Sequence, residues 1–270
     1  MDFADISSRG LVMLGCGKMG SAMLEGWLNR GLPQASVHVI DPHPSDWLRA
    51  QGVKVNADLP ADPAVLMVAV KPQMMGDALP LVARFGGGAT LVLSVAAGTS
   101  IAAYESAFGP ATRVIRSMPN TPAAVGKGIT AIIGNTATTP ADLDLAEALL
   151  SAIGQVVRLD HEDQIDAVTG VSGSGPAYIF YMIDALAAAG EAEGLPRDLA
   201  MQLAKATVAG AGALAEAAAE TPEQLRINVT SPNGTTQAGL GVLMDAGTGL
   251  MPLMRATVAA ATYRSRELKG

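Results

Sequence analysis

The feature that most restricts the fold is the run Gly15-Cys16-Gly17-Lys18-Met19-Gly20, set directly after a short apolar segment (residues 10–14, GLVML) and directly before a helical pattern at 20–29. Glycines at this spacing permit a tight turn and let backbone N–H groups approach a pyrophosphate at the positive end of a helix. The same strand, turn and helix rhythm then repeats. Residues 36–40 (SVHVI) form a second β-rich run, followed by a Pro-containing turn at 41–45. Residues 64–70 (AVLMVAV) and 90–95 (TLVLSV) read as fully buried strands, closed by Lys71-Pro72 and by Ala96-Ala97-Gly98. Further strands are expected at 113–116, 129–133 and 155–159. Continuous apolar strands alternating with helices imply a parallel sheet covered on both faces.

After about residue 159 the texture changes to long alanine-rich stretches reaching Arg266, which predicts an all-helical second domain. The boundary falls near 158–162, giving a dinucleotide-binding α/β domain at 1–160 and a helical domain at 161–270. The many Ala and Gly residues fit close, interlocked helix packing, and equally fit plain helix propensity.

Composition narrows the function. Half of the 270 residues are apolar and 16% are charged, an ordinary globular balance that excludes disorder. The net charge of −7 lacks the basic excess of a nucleic-acid binder. No charge-free apolar run reaches the roughly 18 residues that span a bilayer; the longest candidates are broken by Asp184 and Glu216. Residues 1–10 carry acids before the first Arg and no apolar stretch, unlike a signal peptide. Cys16 is the only cysteine, so no internal disulfide and no cysteine-rich metal cluster is expected. A cytoplasmic protein without nucleic-acid or membrane partners is the expectation.

Several residues invite a chemical reading beside a plain one. Asp41, 21 residues past Gly20, stands where a carboxylate accepts from the ribose hydroxyls of NAD and repels the 2′-phosphate of NADP; it also suits an Asx turn before Pro42. His43 is close enough to offset that repulsion, or is a solvated loop residue. Lys71 follows a buried strand, where ligands of open α/β sheets sit, or is simply solvated. Residues 116–122 (RSMPNTP) make a rigid turn or a cap over a nicotinamide. In the helical half, 171–178 (VSGSGPAY) and 230–236 (TSPNGTT) put small and hydroxyl residues ahead of helices, as N-caps or as sites for a carboxylate. With a cofactor loop beside them, they point to a small anionic substrate.

Absences count too. The three histidines, His38, His43 and His161, lie in no H-E-x-x-H motif, and no C-x-x-C or G-x-S-x-G occurs. No lysine stands between Lys127 and Lys205, so the helix after Gly175 lacks the Lys proton donor of β-hydroxyacid dehydrogenases. A hydride acceptor needing no strong acid, such as a protonated imine, fits better.

Along nearly its whole length the chain resembles the pyrroline-5-carboxylate reductase family. The resemblance is carried by the glycine loop, by 69–72 (AVKP), 94–98 (SVAAG), 118–123 (MPNTPA) and 166–178 (DAVTGVSGSGPAY), and by 194–196 (GLP), 229–240 (VTSPNGTTQAGL) and 264–268 (RSREL). It implies an N-terminal Rossmann doubly wound parallel sheet and a C-terminal all-α domain that interlocks with a second copy. The active site would then lie at the interface of a homodimer or larger homo-oligomer. It implies hydride transfer from NAD(P)H, either NADH or NADPH, to the C=N bond of 1-pyrroline-5-carboxylate, giving L-proline as the last step of proline biosynthesis. By analogy Leu14, Gly15, Cys16, Gly17, Lys18, Met19 and Gly20 hold the pyrophosphate. Ala69, Val70, Lys71 and Pro72, with Val95, Ala96 and Ala97, line the nicotinamide side near Asn120. Ser231 and the N–H groups of Gly234, Thr235 and Thr236 bind the substrate carboxylate, and the Thr236 hydroxyl bonds the ring nitrogen. Glu162 and Asn228 match positions that contact ligands in the family, on the substrate and cofactor sides. No metal is implied. The chain departs from the family pattern at Asn233, a usual glycine, at Ile227, commonly Asp, and at Asp41, where NADP-suited residues are frequent. Cys16 is its own feature: a helix N-terminus lowers a thiol pKa, whereas burial makes it inert. Two rivals are a different small-acid dehydrogenase and a module that senses NAD(P) without turnover; the missing helix lysine opposes the first, and the two organised loops the second.

Overall fold

A computed structural model of the chain describes residues 3–268. They form two compact units, 3–173 with 262–268, and Ser174–Ala261. The first unit runs α1 (Ala4–Arg9), β1 (Leu11–Leu14), α2 (Lys18–Asn29), β2 (Val37–Ile40), α3 (Asp46–Ala50), β3 (Lys54–Val55), β4 (Val65–Val68) and α4 (Met75–Ala78). It continues with β5 (Leu91–Ser94), α5 (Ile101–Phe108), β6 (Arg113–Met118), β7 (Gly128–Gly134), α6 (Pro140–Leu150), β8 (Gly154–Arg158) and α7 (Gln164–Val168). Among the described residues the eight strands make one sheet in the order β3-β2-β1-β4-β5-β6-β7-β8.

The doubly wound sheet is mostly parallel, and one pair departs from the all-parallel expectation: β6 and β7 run antiparallel. Only the short 3₁₀ stretch Thr121–Val125 connects them, too little chain for the crossover a parallel neighbour needs. The two-residue edge strand β3, which pairs with β2 through His38 and Val39, carries no apolar run and was not anticipated.

Period-2 geometry explains the continuous apolar strands. Leu11, Met13, Val39, Met67 and Leu93 face one layer with Met23, Leu24 and Trp27 of α2 and Leu149 and Leu150 of α6. Val12, Leu14, Leu66, Val68, Val92 and Val114 face the other with Val82, Phe85, Tyr104 and Phe108. Both faces being buried, most positions are apolar, and the polar exceptions need buried partners.

The second unit contains α8 (Gly175–Ala192), α9 (Arg197–Ala217), α10 (Pro222–Asn228), α11 (Thr235–Leu243) and α12 (Leu250–Glu267), whose last turns belong to the first unit. Helices α8 and α9 pack as a hairpin whose turn uses Gly194 at φ +95°. A Cβ on Gly190 would lie 3.3 Å from that of Ala200, so small residues set how closely the two helices meet. Of this unit's apolar side chains only those of Ala187, Ala200 and Ala204 are buried, while Phe180, Tyr181, Leu203, Val242 and Met251 are exposed. Among the described residues no helix is long and apolar enough to cross a membrane, and no cluster of His, Cys, Asp or Glu is set to hold a metal.

Trp27 ties α2 to α6: its ring is fully buried and its Nε1 donates to the Leu149 carbonyl at 2.8 Å. Trp27→Ala is expected to lower unfolding free energy by about 3–5 kcal/mol, read from the shift of the denaturant midpoint.

Candidate active site

The β1–α2 turn is built on close approach. Gly15 has φ +87°, and a Cβ there would sit 2.7 Å from Val70 Cγ1 and 3.0 Å from the Ala69 carbonyl oxygen. A Cβ on Gly20 would meet the Gly15 carbonyl at 3.1 Å. Gly17, the N-cap of α2, has no neighbour within 4 Å of its would-be Cβ and supplies no side-chain cap. Two glycines therefore let chain meet chain, and the third leaves room. The first-turn N–H groups of α2 face that room without a side-chain cap, which is what a phosphate group needs. The loop accordingly fits the pyrophosphate of a dinucleotide.

Register aligns the other predicted residues with this turn. Leu14 pairs with Ile40 and Val68, Val68 with Ser94, and Ser94 with Arg116, all in parallel ladders. Ala69, Val70, Lys71 and Pro72, then Val95, Ala96 and Ala97, and Asn120 thus follow the carboxyl ends of neighbouring strands. The chain order reverses between β1 and β4, the crevice where open α/β sheets bind ligands.

Asp41 makes the turn of its plain reading and also reaches the glycine loop. Oδ1 accepts from His43 N–H at 2.8 Å, an Asx turn, while Oδ2 accepts from Cys16 N–H at 2.8 Å within the glycine loop. Cys16 itself is buried, its Sγ 3.7 Å from Ser21 Oγ. Burial pushes the thiol pKa up and the nearby Asp41 carboxylate adds to this, opposite to the lowering a helix N-terminus gives.

The loop after β5 rests on a polar network that the sequence reading did not anticipate. Ser94 Oγ accepts from Ala96 N–H at 3.2 Å and pairs with the Tyr104 hydroxyl at 2.5 Å, while Ser117 Oγ donates to the Ser94 carbonyl at 2.6 Å. Burial pushes the Tyr104 pKa up. Glu162 Oε1 accepts from Ile101 N–H, at the start of α5, at 2.9 Å and from buried Arg116 Nη1 at 2.5 Å. One oxygen of Glu162 is thereby committed to this frame. The Asn120 side chain ties its loop to two other segments: Oδ1 accepts from Ile129 N–H of β7 at 3.0 Å and Nδ2 donates to the Ser172 carbonyl after α7 at 3.2 Å. Lys71 is exposed. The available signal for Arg116 was a charge inside an apolar strand; Tyr104, in an ordinary helical pattern, offered none.

In the second unit the 230–236 loop leads into α11. Asn233 takes φ +58°, a conformation Asn tolerates in place of the usual glycine. Gly234 N–H donates to the Ser231 carbonyl at 3.0 Å, and Gly234 is an N-cap without a side-chain acceptor. Ser231, Thr235 and Thr236 are exposed, and the first-turn N–H groups of Thr235 and Thr236 have no side-chain cap. Asn228 ends α10, its Oδ1 accepting from Gln224 Nε2 at 2.8 Å. A groove of about 360 Å³, lined by Arg226, Thr230, Leu240 and Met244 among others, adjoins this loop. The structure thus brings the glycine-loop and strand-end residues together in the first unit, and Ser231, Gly234, Thr235 and Thr236 together in the second.

The open space at Gly17 gives a paired expectation. Gly15→Ala should lose stability and nucleotide binding together, since positive φ alone costs about 1–2 kcal/mol. Gly17→Ala, at φ −72° with empty space around it, should keep its melting temperature yet weaken binding about tenfold. Titration of protein fluorescence with reduced nicotinamide nucleotide reads both, and unchanged binding in Gly17→Ala would contradict the cradle.

Comparison with known proteins agrees with this architecture. Residues 162–268 match a family model described as pyrroline-5-carboxylate reductase dimerisation, and 11–98 match one described as NADP oxidoreductase, coenzyme F420-dependent. A pyrroline-5-carboxylate reductase of Pseudomonas aeruginosa is 37% identical, covering 97% of this chain and 98% of its own. One from Synechocystis is 47% identical over 76% of this chain and 74% of its own. The solved structure of a pyrroline-5-carboxylate reductase from Coxiella burnetii superposes with a TM-score of 0.91 at 32% identity, covering 97% and 99% of the two chains. That of Plasmodium falciparum pyrroline carboxylate reductase, with NADP bound, gives 0.82 at 25% identity, covering 98% and 99%. With the glycine cradle, the switch-point crevice and the uncapped α11 loop all in place, the chain belongs to the pyrroline-5-carboxylate reductase family.

Proposed function

We propose that this chain reduces 1-pyrroline-5-carboxylate to L-proline in the cytoplasm, closing proline biosynthesis, with NAD(P)H as reductant. The observation that carries this reading is that two loops of small residues, one in each unit, each lead into a helix whose N-cap is a glycine without a side-chain cap, Gly17 and Gly234. Each offers first-turn N–H groups to an anion. The first suits the pyrophosphate of a dinucleotide, and the second suits one small carboxylate.

When bound, the reduced nicotinamide supplies a hydride. The chain's own residues hold and orient. Leu14 to Gly20 seat the pyrophosphate, and Ala69 to Pro72 with Val95 to Ala97 border the nicotinamide, close to Asn120. Ser231 and the N–H groups of Gly234, Thr235 and Thr236 hold the substrate carboxylate. The Thr236 hydroxyl accepts from the protonated ring nitrogen and so fixes which face of the imine is presented. The imine is reduced already carrying its proton, so hydride at the C=N carbon gives a neutral amine without a protein acid. Positioning of this kind is worth several of the ~7–11 kcal/mol available to well-oriented reactants. Glu162 borders the substrate through the oxygen that Arg116 and Ile101 leave available, and Asn228 approaches the cofactor.

We assign dinucleotide binding to residues 1–160, and substrate binding and dimerisation to 161–270. The exposed apolar side chains of α8, α9, α11 and α12 are of the kind that a second copy covers. The active site then forms at the interface of a homodimer, or of a larger homo-oligomer.

Purified protein mixed with DL-pyrroline-5-carboxylate should oxidise NADH or NADPH only when the imine is present. Thr236→Ala should lower kcat/KM about 10- to 100-fold, the worth of about 1–3 kcal/mol for one lost polar contact, while nucleotide affinity is kept. Unchanged turnover in that variant would sink the role given to Thr236. Oxidation with neither cofactor, in folded and nucleotide-binding protein, would sink the reductase reading.

A further inference from the structure

Asp41, at the end of β2, is held from three segments. Cys16 N–H of the glycine loop and His43 N–H of the following turn each donate to one of its carboxylate oxygens at 2.8 Å. The main chain of Asp41 is fixed by Asn56 after β3: Asp41 N–H donates to Asn56 Oδ1 at 3.0 Å, and Asn56 Nδ2 donates to the Asp41 carbonyl at 2.7 Å. Asn56, at φ +50°, is anchored in turn by its N–H on the Val39 carbonyl at 2.8 Å. This side chain cannot swing aside without breaking the bond to the loop that receives the pyrophosphate.

Each carboxylate oxygen accepts more than one hydrogen bond, so both keep capacity for ribose hydroxyls after meeting Cys16 and His43. A 2′-phosphate at that place meets a fixed negative charge instead. Its usual compensation is an arginine nearby, and the turn lacks one: Pro42, His43, Pro44, Ser45 and Asp46 contain no Lys or Arg, and Asp46 adds a second acid. Ser45 Oγ accepts from Leu48 N–H, so its hydroxyl offers a phosphate one neutral donor and no compensating charge, and Lys54 lies against His38 Nε2 at 3.4 Å.

We propose that the chain selects NADH over NADPH, with the anchored Asp41 as the residue that excludes the 2′-phosphate. This deepens the nicotinamide-dependent reading above and rests on it. It also sets the chain apart from the Plasmodium falciparum relative, whose structure holds NADP.

The test measures Kd for NADH and NADPH without substrate, and kcat/KM for both with pyrroline-5-carboxylate at fixed pH. NADH should be favoured at least about tenfold in both, the scale of a like charge set against a phosphate. Asp41→Ser should move the ratio toward NADPH by about tenfold or more. His43→Arg, which keeps the carboxylate and its bond to Cys16, should improve NADPH use while leaving NADH constants near their starting values. A wild-type preference for NADPH would overturn the proposal. So would a ratio that Asp41→Ser leaves in place in protein melting like wild type. Tighter NADH binding without imine reduction would keep the selectivity and sink the reductase reading, so the two fail separately.

Discussion

Everything at the cofactor crevice depends on how closely two strands' ends approach at Gly15. The Val70 methyl and the Ala69 carbonyl occupy the space a side chain would take, so only glycine lets the β1–α2 turn lie against the end of β4. That contact sets the N-terminus of α2 at the point where the sheet order reverses. Asp41 then ties the same loop to the end of β2 through Cys16 N–H. The open N-terminus of α2 is thus a consequence of main-chain packing, and side chains enter only to lock it.

A second layer of order lies beneath the strand-end loops. Arg116 is nearly inaccessible to solvent, and a buried guanidinium without a partner would be costly. Glu162 supplies the charge and uses the same oxygen to cap α5 at Ile101. Ser94 and Tyr104 do comparable work for Ala96. These residues stiffen the segment proposed to border the nicotinamide, where orientation is the main thing the protein contributes. Glu162 therefore has a structural duty whatever it does for substrate.

Much of this was legible in the amino-acid sequence. The glycine run and the long apolar strands announced a doubly wound sheet, because both faces of such a strand are buried. The direction of β7 was not legible, since an apolar pattern carries no polarity and only the short connection decides it. The edge strand β3 was hidden by its length of two residues. Asp41 looked like a choice between ribose ligand and turn former, yet one carboxylate has oxygens enough to serve the turn and face the loop as well. Tyr104 was missed because a buried hydroxyl partner is set by tertiary neighbours. In the helical unit, sequence and structure agree on small residues between α8 and α9, whereas the exposed apolar side chains have no covering within the described residues of their own unit and are assigned to a second copy.

The proposed reaction is hydride delivery from the nicotinamide to the imine carbon of a substrate held by the 230–236 loop. It is tested most directly by running the reaction with nicotinamide cofactor dideuterated at C4 and examining the proline formed. One deuterium is expected at C5 of the ring and none elsewhere. Proline without that label, or label appearing in solvent instead, would contradict it.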